Sequence, residues 1–118
     1  MSGIPIELEP KQKRPAGERC CEAVAYPDVE RRQAERMAGL AKALADPVRL
    51  QLVDVLREHA GKVCVCELVP LFDLSQSTIS HHLKVLRDAG VAASERQGLW
   101  SYYYVVPGAL DELGAWLR

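Results

Sequence analysis

The stretch that most limits what this chain can become is LSQSTISHHLKVLRDAGV, residues 74–91. Ser75 offers a side-chain oxygen to the unpaired N–H groups that open a helix, and Gly90 offers the left-handed residue on which a helix stops. At about 100° per residue, Ser80, His81, Lys84 and Asp88 cluster within roughly 60° of Ser77, while Ile79, Leu83 and Leu86 lie on the opposite side. The spacing therefore predicts a helix with one apolar face and one face of hydroxyls, imidazole and lysine.

Its neighbours say what kind of helix it is. VCVCELVPLF, residues 63–72, opens a shorter helix just before it, across a tight turn. After Gly90 the residues become strand-like: VAASER, a Gln97-Gly98 turn, then LWSYYYVV, rich in aromatic and β-branched types. Upstream, Met37, Leu40, Ala41 and Leu44 recur at helical spacing, and that helix ends near Ala45. Asp46-Pro47 supplies an N-cap and a proline at the first helical position of a second helix over 47–59, striped by Val48, Leu52, Val55, Leu56 and His59 and closed by Gly61. Pro107 starts a last helix carrying Leu110, Leu113, Trp116 and Leu117. The order helix, helix, helix–turn–helix, hairpin, helix is mainly α with a small β-hairpin: a winged helix–turn–helix.

In that geometry the second helix of the pair enters the major groove of DNA, and the hairpin reaches the adjacent minor groove or backbone. The residues placed to read DNA are Ser75, Gln76, Ser77, Thr78, Ser80, His81, Lys84 and Arg87 on the helix, with Arg96 and Gln97 on the hairpin. One short helix contacts few base pairs, so the reading requires a homodimer on a palindromic operator, with half-sites about 34 Å apart or a multiple of it. Leu40 on the first helix, with Leu110, Leu113, Trp116 and Leu117 on the last, is the expected dimer interface. The competing reading is that these residues cap their own core.

At 118 residues, 48% hydrophobic and 26% charged, the chain fits one domain that needs no disulfide or metal staple. No apolar run approaches the roughly 18 residues of a membrane span, and the N-terminus has no apolar block of signal-peptide length, which points to the reducing cytoplasm. The net charge of −1 decides nothing about nucleic acid. Residues 1–28 hold four of the seven prolines and no sustained apolar period, so they read as an extended arm before a domain over 29–118.

Four cysteines then stand free for chemistry: Cys20 and Cys21 in the arm, Cys64 and Cys66 at the head of the third helix. Cys64 takes the N-cap slot, with Glu67 three residues on as in a capping box. Cysteine caps poorly, but the positive end of a helix favours thiolate, the form that binds soft metals. Inside a helix two side chains at this spacing point about 200° apart. With Cys64 at the N-cap, outside the helix, a small distortion brings them together.

LAKALADPVRLQLVDVL followed by CVCELVPLFDLSQSTISHHLKVLRDAGV resembles the ArsR/SmtB family of metal-responsive bacterial repressors, over about residues 36–106. The resemblance implies a homodimeric winged helix that represses an operator and lets go when metal binds. Some arsenic-responsive members take a third thiol three residues further along the helix; here that residue is Val69. Arm cysteines in the family can reach the third helix of the opposite protomer. The expected site is therefore Cys64 and Cys66 with one or both of Cys20 and Cys21, taking arsenite or antimonite. Alternatives are a cadmium or lead sensor using all four cysteines, and a thiol redox-sensing repressor. The family's other metal site needs a histidine or glutamate late in the last helix beside an Asp-x-His pair; PGALDELGAWLR has no histidine. His59, His81 and His82 are not read as ligands, and no enzymatic function is expected.

Overall fold

The computed structural model describes residues 23–59 and 63–118; the Cys20-Cys21 arm and Gly61 lie outside them. Five helices and three strands follow one another: α1 (Arg31–Leu44), α2 (Pro47–Glu58), β1 (Val63–Cys64), α3 (Val65–Phe72), α4 (Gln76–Asp88), β2 (Ala92–Gln97), β3 (Trp100–Val105) and α5 (Pro107–Trp116). The sheet is antiparallel with β3 in the centre. It is the expected winged helix–turn–helix, with one strand more than the hairpin.

Each boundary has a local cause. The Asp46 carboxylate accepts from the N–H groups of Val48 at 2.9 Å and Arg49 at 3.2 Å, and Pro47 occupies the first helical position. At the other end of α2 the His59 ring folds back on the Val55 carbonyl, Nδ1 to O 2.8 Å. His59 is exposed, so it ends the helix and does not extend the apolar stripe. α4 stops in a paired motif: Gly90, at φ 82°, donates to the Arg87 carbonyl and Val91 to that of Leu86. Leu86 and Val91 are fully buried, so the stop is also a core contact.

The hairpin turns on Gly98 and Leu99, because Gln97 pairs with Trp100. This is one residue later than the sequence suggests. Gly98 has φ 63°, which a two-residue turn with glycine first requires. β1 has no signal in the sequence; Val63 and Cys64 pair with Tyr103 and Tyr102 across the sheet.

Leu52 and Leu56 of α2, Leu68 of α3, and Ile79, Leu83 and Leu86 of α4 fill the centre. Met37, Leu40 and Ala43 of α1 and Leu113 of α5 join them. Arg36 and Glu112 form an ion pair between α1 and α5.

The Asp46 carboxyl is held below the usual carboxylate range, first by the Arg49 N–H, then by the Val48 N–H and the Arg49 charge, against the cost of burial. A depressed folded value stabilises above the unfolded value and is lost as pH falls through the folded one. Asp46→Asn keeps an oxygen acceptor at the cap. Its urea midpoint is therefore expected below wild type at pH 7, with the two converging as pH falls below about 4. An unchanged acid limb would show that this carboxylate does not carry the dependence.

Candidate nucleic-acid interface and thiol centre

α4 is presented by its buried side. Ile79, Leu83 and Leu86 are fully buried, which fixes the opposite face outward. Gln76, Ser77, Thr78, His81, Lys84 and Arg87 are exposed and Ser80 is half-buried. Ser75 Oγ accepts from the Thr78 N–H at 3.2 Å and lies 2.8 Å from Thr78 Oγ1 and 3.1 Å from Ser77 Oγ. The hydroxyls thus form a cluster at the positive end of the helix, a setting suited to a phosphate oxygen. Lys84 pairs with Asp88 at 3.2 Å; a pair this exposed is worth only about 0.5 kcal/mol, so a phosphate displaces it readily. On the wing, Arg96 and Gln97 are exposed, with Arg96 Nε donating to the Gly98 carbonyl at 3.3 Å.

Arg49 is the residue sequence reasoning missed. Its Nε donates to the Ala43 carbonyl at 2.6 Å, Nη1 lies 3.8 Å from Asp46 Oδ2, and Nη1 donates to His82 Nδ1 at 3.3 Å. One guanidinium ties the end of α1 and the start of α2 to the middle of α4. Since arginine only donates, His82 Nδ1 accepts and its proton sits on Nε2. The sole sequence hint was the Asp46-to-Arg49 spacing.

At the head of α3, the Cys64 N–H donates to Glu67 Oε1 at 3.1 Å, the backbone half of the anticipated capping box. Cys64 has ψ 145°, extended, so its side chain leaves the helical spiral and the two sulfurs lie 2.8 Å apart. The thiols are already side by side. Two sulfurs each about 2.3 Å from a tetrahedral ion sit about 3.8 Å apart, so the pair needs to open by about 1 Å to hold one. Pro70 lacks the N–H that would bond the Cys66 carbonyl, leaving that turn less constrained.

The Cys66 thiol, further into α3, is pushed up. The hydrogen bond to Cys64 is the largest cause, followed by burial and by the charges of Cys64 and Glu67. The helix end does not outweigh them. Among the described residues no group of three histidine, cysteine, aspartate or glutamate side chains is placed to hold an ion.

The two regions meet in an open cleft of about 270 Å3, lined by Cys64 and Cys66, by Gln76 and Ser80 of α4, and by Leu99, Trp100 and Tyr103 of the wing. Of the anticipated dimer residues, Leu40 and Leu113 are buried in their own protomer and Leu110 packs against the same core. Trp116 and Leu117 stay 47% and 66% exposed, leaving an apolar end on α5. No described helix is long and apolar enough to cross a membrane.

Residues 46–94 match the profile described as "Bacterial regulatory protein, arsR family". The chain is 36% identical over 94 residues to an arsenic resistance transcriptional regulator of Pseudomonas putida, covering 80% of this chain and 73% of that one. It is 48% identical over 62 residues to the arsenical resistance operon repressor of Bacillus subtilis, covering 52% and 58%. It is 38% identical over 69 residues to a cadmium resistance transcriptional regulatory protein of Listeria innocua, covering 58% and 57%. A crystal structure titled as a possible transcriptional regulator for arsenical resistance superposes at TM-score 0.60, with 35% identity over 67% of this chain and 79% of that one. A homodimeric winged helix–turn–helix domain from Mycobacterium bovis superposes at 0.65 with 23% identity, over 80% and 87%.

The thiol contact has a kinetic signature. In a background with Cys20 and Cys21 changed to serine, Cys66 is expected to alkylate with iodoacetamide more slowly than an unperturbed thiol at neutral pH. Cys64→Ala, which removes the hydrogen bond from Cys66, should speed it up when followed by mass spectrometry. Equal rates would mean the contact does not hold the proton.

Proposed function

The chain belongs to the ArsR family of bacterial regulatory proteins and is a transcriptional repressor of the arsenical or cadmium resistance type, not an enzyme; from that premise we propose that it grips operator DNA as a cytoplasmic homodimer and lets go on capturing arsenite or antimonite through thiolates. The observation that carries the proposal is the 2.8 Å sulfur pair at the head of α3, the first helix of the helix–turn–helix.

In each protomer α4 enters the major groove. Gln76, Ser77, Ser80 and His81 face base edges; Ser75, Thr78, Lys84 and Arg87 hold phosphates; Arg96 and Gln97 reach across from the wing. The exposed Trp116 and Leu117 support pairing through α5, as does the homodimeric assembly of the M. bovis neighbour. Arsenite, As(OH)3, reacts with three thiols: three As–O bonds break, three As–S bonds form, and the hydroxyls leave with the thiol protons as three waters, so arsenic stays trivalent. Cys64 and Cys66 supply two sulfurs, and Cys20 or Cys21 supplies the third from the partner's arm. Opening the sulfur pair shifts the start of α3 and the strand residue Cys64 together, moving α4 and the wing away from operator spacing. A coupling of about 3 kcal/mol weakens operator binding on the order of 150-fold. A second reading is a cadmium or lead sensor using all four cysteines; the cadmium resistance protein of L. innocua supports its cadmium form.

Cys64→Ser and Cys66→Ser are expected to keep operator affinity within a few-fold and abolish release by arsenite in a direct fluorescence-anisotropy titration. Lys84→Ala should weaken DNA binding across sequences and lower the salt slope by about 1 without changing arsenite affinity. If arsenite left operator affinity unchanged in the wild-type protein, the mechanism would fail. Charge-transfer absorbance on adding arsenite or cadmium, against a peroxide control, separates the two ions from a disulfide switch.

A further inference from the structure

His82 joins two helices. Its Nδ1 accepts from Arg49 Nη1 at 3.3 Å, a contact from the start of α2 to the middle of α4. That bond lasts only while the ring nitrogen has a lone pair to offer, and histidine is the side chain that changes charge between about pH 5 and 8. Protonation removes the acceptor and sets an imidazolium against a guanidinium.

Arg49 is not free to step aside. Its Nε donates to the Ala43 carbonyl at 2.6 Å, Nη1 lies 3.8 Å from Asp46 Oδ2, and its side chain is 16% exposed. The guanidinium is thus fixed by the α1–α2 corner, and the yielding part is His82 with α4. The Asp46 carboxylate faces both side chains, but it already accepts from the Val48 and Arg49 N–H groups and would serve two cations at once. Of the other elements packed against α4, α1 has Lys42 in its last turn, and α3 has Glu67, taken up by the Cys64 N–H, and Asp73 at its end. β2 carries Glu95 and Arg96 towards the wing. On α4 itself the His81 ring lies 6.1 Å from that of His82, and Lys84 pairs with Asp88.

His82 is half-buried next to Leu83, which is fully buried, so the contact helps set how α4 is turned against the core. Hydrogen bonds to base edges from the outward face depend on that setting, whereas attraction to phosphates does not. We propose that Arg49 is a positioning residue for sequence reading: it holds α4 in place by donating to neutral His82, and protonation of His82 releases the helix and lowers operator preference. The proposal rests on α4 being the reading helix and is independent of the thiols and of the inducer.

The test uses the full chain, metal-free and reduced, with a duplex that the protein itself selects from a random pool at pH 7.5. Fluorescence anisotropy at constant ionic strength gives its affinity for that duplex and for a scrambled one, and their ratio cancels the uniform gain from added positive charge. In wild type the ratio should fall roughly fivefold or more between pH 7.5 and 5.5. His82→Gln, whose amide oxygen still accepts from Arg49 but does not titrate, should hold the ratio within about twofold over that range. His81→Gln should keep the fall. Arg49→Lys, which keeps the charge and loses the fork, should lower the ratio at pH 7.5 and flatten its pH dependence. Nitrogen NMR of the free protein should place the His82 proton on Nε2 at pH 7.5. A wild-type ratio that stays level, a fall that survives in His82→Gln, or a proton on Nδ1 would overturn the proposal, and these hold even if Arg49→Lys does not fold. Failure to select any duplex at pH 7.5 would instead sink the DNA-reading role of α4, and this proposal with it.

Discussion

An α-helix begins with N–H groups that its own backbone cannot satisfy, and the way this chain meets that need at each helix organises both the fold and the site. α2 meets it with the Asp46 carboxylate, α4 with the Ser75 hydroxyl, and α5 with a proline at its first position. α3 begins on Cys64, and only Glu67 reaches back to the N-cap backbone. The extended backbone at Cys64 turns its sulfur beside that of Cys66. The start of α3 thus doubles as a thiol pair, with Cys64 buried and Cys66 exposed.

The same residue is also a member of the sheet. Cys64 pairs with Tyr102 in β3, the strand that carries Trp100 and runs up the wing. Cys64 is therefore joined through the sheet to the strand of the wing and through α3 to α4. On its other flank α4 is held by Arg49, whose guanidinium joins His82 to the α1–α2 corner. α4 is thus tied on one flank to the α1–α2 corner and on the other packs against α3.

Much of this was legible because it is local. Asp46-Pro47, Ser75 and Gly90 each act within a few residues of themselves, so the helix limits of α2 and α4 could be read from composition alone. The turn came out one residue early because Gln97 and Gly98 both suit a turn, and only pairing with Trp100 fixes the register. β1 was invisible: two residues with no alternation become a strand only because Tyr102 and Tyr103, far along the chain, lie opposite. The raised Cys66 thiol is tertiary in the same sense. A helix end is visible in sequence, while a neighbouring sulfur at 2.8 Å and an adjacent carboxylate act through geometry. The Arg49 bridge and the cleft are tertiary as well, and no spacing announces them.

Gln76 and Ser80 line the cleft and also belong to the face of α4 turned outward. A substitution at either position therefore alters two surfaces at once, the outward face of α4 and the wall beside the thiols, whereas Leu99 and Trp100 reshape a wall from the wing and leave α4 unchanged.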